Sequence, residues 1–328
     1  MSGRGIWKLL AIFVVVLLVG FSVLWMREAK DMGTLRSLLR NGAVNNNWLN
    51  VKLAREKHQL RKASTIKPTP RKTFYNLADD IDYSREAVPR LSKPGAISDK
   101  IELDYFRYLQ NLQFDCRHRI RAGTGETGDG GWEVCLDPPY NMKPGKCLVY
   151  SFGISTNWSF DDYMDKTRNC TVHCFDPSIG KKDFKRSPNI YFHNLGISGS
   201  NETNDKKWQL YTLGSIKRLL GHENVTLDYL KMDVEWSEWP SLQAMYREGV
   251  LSQVKQFALE FHGIPKKQAD VDIINKLYEL GFRIFYTKRN FYNRANSGLT
   301  QRTVYMCMEV HLVNINFLKQ DVKSGHRQ

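Results

Sequence analysis

The sequence predicts an α/β fold in which a mostly parallel sheet is covered by helices on both faces. From Cys147 onward, short apolar runs of strand length alternate with segments of helical periodicity. The last two strand runs have no helical pattern between them, which predicts an antiparallel hairpin at one sheet edge. Glycine, acids and a histidine fall at the ends of the strand runs, where open parallel sheets bind their ligands.

The chain opens with a short tail, residues 1–8. Residues 9–26, LLAIFVVVLLVGFSVLWM, carry no charge. At about 1.5 Å per residue this stretch covers roughly 27 Å, close to the hydrocarbon thickness of a bilayer. Trp7 and Trp25 stand at its two ends, where indoles favour the interface. The following Arg27 and Glu28 do not resemble a small-residue cleavage site, so the expectation is an uncleaved transmembrane signal anchor partnered with lipid. Residues 27–97 are expected to be a basic stem. Arg27 to Lys100 holds 16 Lys/Arg against 8 Asp/Glu, with Pro68, Pro70, Pro89 and Pro94 and no sustained apolar periodicity. Much of the net charge of +14 therefore lies beside the membrane segment as a solvated surface, and no nucleic acid is expected as a partner.

Residues 98–146 are a lead-in. Ser98 is placed to cap a helix whose apolar face is Ile101, Tyr105, Leu109 and Leu112. A glycine-rich stretch from Gly123 to Gly131 follows; no Gly-Lys-Ser/Thr comes after it, so a loop is predicted rather than a phosphate cradle. The main domain spans residues 147–315. Its predicted strands are 147–152, 170–175, 189–194, 227–234, 254–261, 282–287 and 304–313. A helix through Leu213, Ile216 and Leu220 stops at Gly221, and one through Ile274, Leu277 and Tyr278 stops at Gly281. Residues 316–328 form a C-terminal tail.

The chemistry-bearing residues sit at strand ends. After the first strand of the domain come Ser151, Gly153 and Asn157; Gly153 lets the backbone turn sharply and approach a ligand without a Cβ in the way. Asp176 ends the next strand, 23 residues after Gly153, near the spacing at which an acid accepts ribose hydroxyls. Asp233 and Glu235 alternate at the end of LDYLKMDV, which would place both on one face. Hard cations take such carboxylates, but ligand-binding and general-base roles suit them equally, and no metal site is assigned. His262 follows the fifth strand as a further acid/base candidate. Trp236 and Trp239 are candidates for a pocket wall or for packing.

The ordered segments VYSFGISTNWSFD (149–161), VHCFDPS (172–178), FHNLGIS (192–198), LKMDVEWSEW (230–239) and ALEFHG (258–263) resemble membrane-anchored methyltransferase-like proteins of the methyltransferase-like protein 24 type. They are also similar to FkbM-type methyltransferases, whose fourth-strand motif reads approximately L-K-x-D-x-E-G-x-E. Here Trp236 stands at the glycine of that pattern, and the first loop has one glycine where many class I enzymes have G-x-G-x-G. The resemblance implies a Rossmann-like class I fold of seven strands that binds S-adenosylmethionine. Ser151, Gly153 and Asn157 would lie near its methionine part, and Asp176 near its ribose. Asp233, Glu235 and His262 would flank methyl transfer to an unidentified acceptor.

Two other functions share this layout. One is a Golgi-type glycosyltransferase, with Asp233-Val234-Glu235 imitating an acidic metal motif; the other is a non-catalytic binding module on a stem. The four sequons at Asn157, Asn169, Asn201 and Asn224 are candidate glycosylation sites. Together with six cysteines and the stem-anchored resemblance they set the expectation of a single-pass type II membrane protein, in the Golgi or another secretory compartment. The flanking charges point the other way, since Arg27, Lys30, Arg36 and Arg40 follow the anchor and only Arg4 and Lys8 precede it.

Overall fold

A computed structural model describes residues 97–125 and 130–318. The tail of residues 1–8, the apolar stretch 9–26, the stem up to residue 96 and most of the C-terminal tail lie outside the described residues. Among the described residues no helix is long and apolar enough to cross a membrane.

Ser98 caps helix α1 (Asp99–Gln110) as the sequence predicts: its backbone is extended and its Oγ accepts from the Ile101 N–H at 3.3 Å. Ile101, Tyr105 and Leu109 form the buried stripe, while Leu112 lies beyond the helix and is exposed. The described residues of the glycine-rich stretch form a loop as expected, and it connects an antiparallel hairpin, β1 (Arg119–Ala122) with β2 (Trp132–Cys135). Residues 126–129 of that connection lie outside the description. Each strand has only four residues and β2 is buried throughout, so neither shows the period-two alternation that would announce it.

The central sheet draws its core from β3 (Leu148–Phe152), β4 (Thr171–Phe175), β6 (Ile190–His193), β10 (Tyr229–Met232) and β11 (Gln256–His262). All five are parallel, in the spatial order β11-β10-β3-β4-β6. The chain crosses from one half of the sheet to the other between β3 and β10, which makes their C-terminal ends the switch-point crevice. At one edge, β12 (Phe282–Arg289) and β15 (Cys307–Asn314) form the predicted antiparallel hairpin, with β15 inserted between β11 and β12. The predicted strand 304–313 divides, because Thr303–Tyr305 leaves the sheet as β14 to pair with β13 (Arg294–Asn296). The sheet has eight strands rather than seven: β5 (Phe184–Lys185), two residues long, adds antiparallel to β6 at the far edge. A small separate sheet joins β7 (Gly196–Ile197), β8 (Glu202–Thr203) and β9 (Gln209–Tyr211).

Both faces of the central sheet are covered. Leu148, Tyr150, Phe152, Leu230, Phe257 and Phe261 pack with α1 and with helices α3 (Leu213–Leu219), α4 (Glu238–Glu248) and α5 (Gln268–Glu279). Val149, Val172, Tyr229 and Ala258 face the other way, onto helix α2 (Ser159–Arg168) and the β1–β2 hairpin. Each fully buried Phe or Leu in these layers contributes about 1.5–3 kcal/mol relative to exposure. Disulfides Cys116–Cys135 and Cys147–Cys170 tie the hairpin to its lead-in and the start of β3 to the start of β4.

Candidate functional site

Gly153 follows β3 in the left-handed region at φ +71°, which side-chain-bearing residues rarely adopt. A Cβ there would lie 1.5 Å from the backbone oxygen of Asp233. The close approach that demands glycine is thus made by the neighbouring strand end. Its N–H donates to Phe175 O at 3.0 Å, so Gly153 links the tips of β3, β4 and β10. Ser151 is fully buried inside β3. Asn157 stands at the entry to α2, its side-chain oxygen accepting from the Ser159 N–H at 3.1 Å.

Asp176 is buried at the tip of β4. Its Oδ2 accepts from the Ser155 N–H at 2.7 Å, and its Oδ1 accepts from the N–H and Oγ of Ser178 at 2.8 and 2.6 Å. A carboxylate offers about four acceptor positions, so the two flanking loops take three and one remains. The residue both starts a turn and keeps room for one further donor.

The strand β10 ends at Met232, so Asp233 and Glu235 are not alternating strand residues as their spacing suggested. They belong to a tight loop in which Glu235 and Trp236 adopt φ values of +49° and +77°. Two consecutive non-glycine residues in this region carry strain of order 1–3 kcal/mol each. This backbone, rather than strand pleating, turns the Asp233 and Glu235 carboxylates toward one point. Trp236 holds at its φ the conformation natural to the glycine of the related pattern. Its ring is half-exposed beside Gly263 and carries the Lys266 ammonium 4.8 Å above it. Trp239 is buried, its indole N–H donating to His262 O at 3.0 Å, which assigns it to packing.

At the centre of the loop is His262, the last residue of β11 and 4% exposed. Its Nδ1 lies 2.9 Å from Glu238 Oε1; its Nε2 lies 3.4 Å from Glu235 Oε2, 3.6 Å from Glu260 Oε2 and 3.9 Å from Asp233 Oδ1. Burial alone would lower the His262 pKa. Hydrogen bonds to Cys307 and Glu238 and the charges of Glu238 and Glu260 outweigh it and push the value up to about 11. Burial, then the charge of Asp233, lifts Glu260 to about 8. Burial also raises Asp233, against the opposing pull of Lys231 and His262. Lys231 stands behind the loop, its Nζ donating to Gly153 O at 2.8 Å and Phe152 O at 3.2 Å. The surrounding carboxylates favour the protonated ring, and a base role for His262 does not follow from the geometry.

The predicted residues Gly153, Asp176, Asp233, Glu235 and His262 therefore meet at the C-terminal ends of four adjacent strands, β4, β3, β10 and β11. Sequence reasoning did not single out Lys231, Glu238, Glu260 or Cys307. Signals for two were present: Glu238 is the final acid of the LKMDVEWSE run, and Glu260 shares a strand face with His262 two residues on. Cys307 is paired opposite His262 across the antiparallel register, which sequence spacing does not disclose. The other sequons lie elsewhere: Asn169 caps the C-terminus of α2, Asn201 bridges Thr212 and Ser215, and Asn224 is exposed in the turn before β10.

The chain is 27% identical over 214 residues to "Probable methyltransferase-like protein 24" of Homo sapiens, covering 57% of this chain and 57% of that protein. The same identity holds over 217 residues with "Probable methyltransferase-like protein 24" of Rattus norvegicus, again covering 57% of each. The chain thus matches a little over half the length of these curated relatives. Residues 48–300 match the family described as "Methyltransferase domain", a span that starts within the segment expected to be stem. With most of its length inside that match, and a mostly parallel α/β sheet carrying its acids at the strand ends, the chain belongs to this methyltransferase-domain family.

Proposed function

We propose that the protein is an S-adenosylmethionine-dependent methyltransferase acting on an acceptor still to be identified. The observation that carries this reading is the row of Gly153, Asp176 and Asp233 at the tips of three adjacent parallel strands. The residues fit the cofactor. Asp176 keeps one acceptor position for a ribose hydroxyl, and Gly153 locks the tips of β3, β4 and β10 together beside it. Bound there, the cofactor would supply an electrophilic sulfonium methyl. The protein's part is alignment: Asp176 orients the nucleoside, and the Asp233–Trp236 loop forms the acceptor side. Glu235, exposed at the rim, is the carboxylate best placed to reach a proton on an incoming acceptor.

Calorimetric titration with S-adenosylmethionine and its demethylated product tests the reading. We expect saturable binding, weakened by roughly 1–3 kcal/mol in Asp176→Asn, the range for a buried hydrogen-bond partner left unmet. Failure of both nucleosides to bind the folded wild-type protein would favour a non-catalytic module, and Mn²⁺-dependent binding of a nucleotide sugar would favour the glycosyltransferase. We further propose a type II arrangement, with residues 9–26 in the bilayer and the domain in the secretory lumen. The two disulfides support it, because such bonds persist in oxidising compartments.

A further inference from the structure

We propose that Asp233, Glu235, Glu260 and His262 form a binding site for one divalent cation, Mn²⁺ or a hard ion of similar preference. Glu238 acts as the positioning residue that orients the imidazole. Three carboxylate oxygens surround a single nitrogen, His262 Nε2, at 3.4, 3.6 and 3.9 Å. Metal–ligand bonds of about 2.1 Å place tetrahedral neighbours roughly 3.4 Å apart and octahedral cis neighbours roughly 3.0 Å apart. The distances of the three oxygens from Nε2 are thus close to those kept by donors that share one ion. The opposite ring nitrogen, Nδ1, is 2.9 Å from Glu238 Oε1, the carboxylate–histidine pairing that fixes a ligating imidazole with its free lone pair toward the metal.

A separate observation marks the place of a cation. Glu238 is fully buried, and its Oε2 has no hydrogen-bond partner among the described residues. One of its oxygens, an oxygen of Asp233 and a nitrogen of His262 lie within 4.8 Å of one another. A carboxylate desolvated in this way is normally paired or metal-bound. Three oxygens with one imidazole suit Mn²⁺, which accepts both ligand types. An ion there would leave coordination positions on the exposed Glu235 side, facing the loop assigned above to the acceptor. The acceptor class it favours is one that binds through oxygen, a hydroxyl or carboxylate.

The site is tested without any nucleoside, so the result is independent of the methyl-transfer reading. Chelator-stripped full-length protein would be titrated with Mn²⁺ and followed by electron paramagnetic resonance. We expect one bound ion per chain, a nitrogen coupling from imidazole in the pulsed spectrum, and loss of that coupling in His262→Gln. Glu235→Gln, at a side chain 81% exposed and so tolerant of change, should weaken binding at least tenfold with the fold intact by circular dichroism. No saturable Mn²⁺ signal in the wild type, or equal affinity in Glu235→Gln and Glu260→Gln, would overturn the proposal.

Discussion

Alanine at Gly153 would place a methyl group 1.5 Å from Asp233 O in a backbone conformation that side chains resist. We expect Gly153→Ala to destabilise the domain by more than about 3 kcal/mol, or to prevent its accumulation, because neither loop can yield without breaking the other. Gly263 gives a finer test. It also has positive φ, at +76°, and its added Cβ would meet the Trp236 ring at 2.2 Å. Gly263→Ala should therefore be destabilising, and adding Trp236→Gly should restore the part due to the ring while leaving the backbone part. A coupling energy of about 1 kcal/mol or more in a double-mutant cycle by denaturant unfolding is expected; strict additivity would show that the ring simply swings away.

Between strands, a stacked row crosses the edge of the sheet: His173 on β4 lies 2.9 Å from His193 on β6, with Tyr191, Tyr150, Phe175 and His222 against it. Burial, followed by the charges of His193 and His222, lowers the His173 pKa from 6.5 to about 3. Asp183, facing His193, pulls that neighbour in the opposite direction. The unfolded chain takes up a proton at His173 below about 6.5 and the folded one does not until about 3. Stability is therefore present above that window and lost as pH falls through it, by at most roughly 1.4 kcal/mol per pH unit. His173→Phe, which keeps the stacking, should flatten the fall in unfolding free energy between pH 6 and 4; an unchanged slope would assign the acid sensitivity to other groups. The Cys147–Cys170 bridge ties β4 to its other neighbour, β3. Closing a loop of 23 residues, it should contribute about 3 kcal/mol, read as the drop in urea midpoint on Cys147→Ser with Cys170→Ser.

What the sequence disclosed follows from how each element buries itself. The central strands were legible because they are apolar on both faces, and α1 and α5 because their stripes and stops are regular. Helix α2 was not, since it buries only Phe160, Asp161 and Met164 and has no side-chain cap. Helix α4 was hidden because it starts inside the LKMDVEWSEW motif, with Pro240 in its first turn where a missing N–H costs nothing. In the site, Gly153, Asp176, Asp233 and His262 stood out as polar or conformationally special residues at strand ends. Glu238 was hidden because its partner His262 comes from another strand, and Glu260 because it lies inside an otherwise apolar strand run.

For the whole molecule the open question is orientation. The sequons give a geometric order of preference. Asn224 is exposed in its turn, whereas the amide nitrogen of Asn201 donates to Ser215 and its oxygen accepts from the Thr212 N–H. A lumenal domain should show an endoglycosidase-sensitive shift in secretory cells, reduced by one step in Asn224→Gln. Absence of glycan at every sequon, with digestion of the domain by protease added to intact microsomes, would place it in the cytosol.

The two ends of the central sheet bear on how such a protein tolerates crowding. At one margin the two-residue β5 leaves almost no ladder to extend, and Lys185 stacks on Tyr191 instead of leaving it bare. At the other, the chain after α1 donates from the Gln113 and Phe114 N–H groups to Ile284 O, and the Gln113 side chain accepts from the Ile284 N–H. Among the described residues, the first margin thus has only two ladder residues, and the second has the backbone groups of Ile284 claimed by the lead-in. Protection against edge-to-edge aggregation is thus built from one very short strand and one borrowed loop.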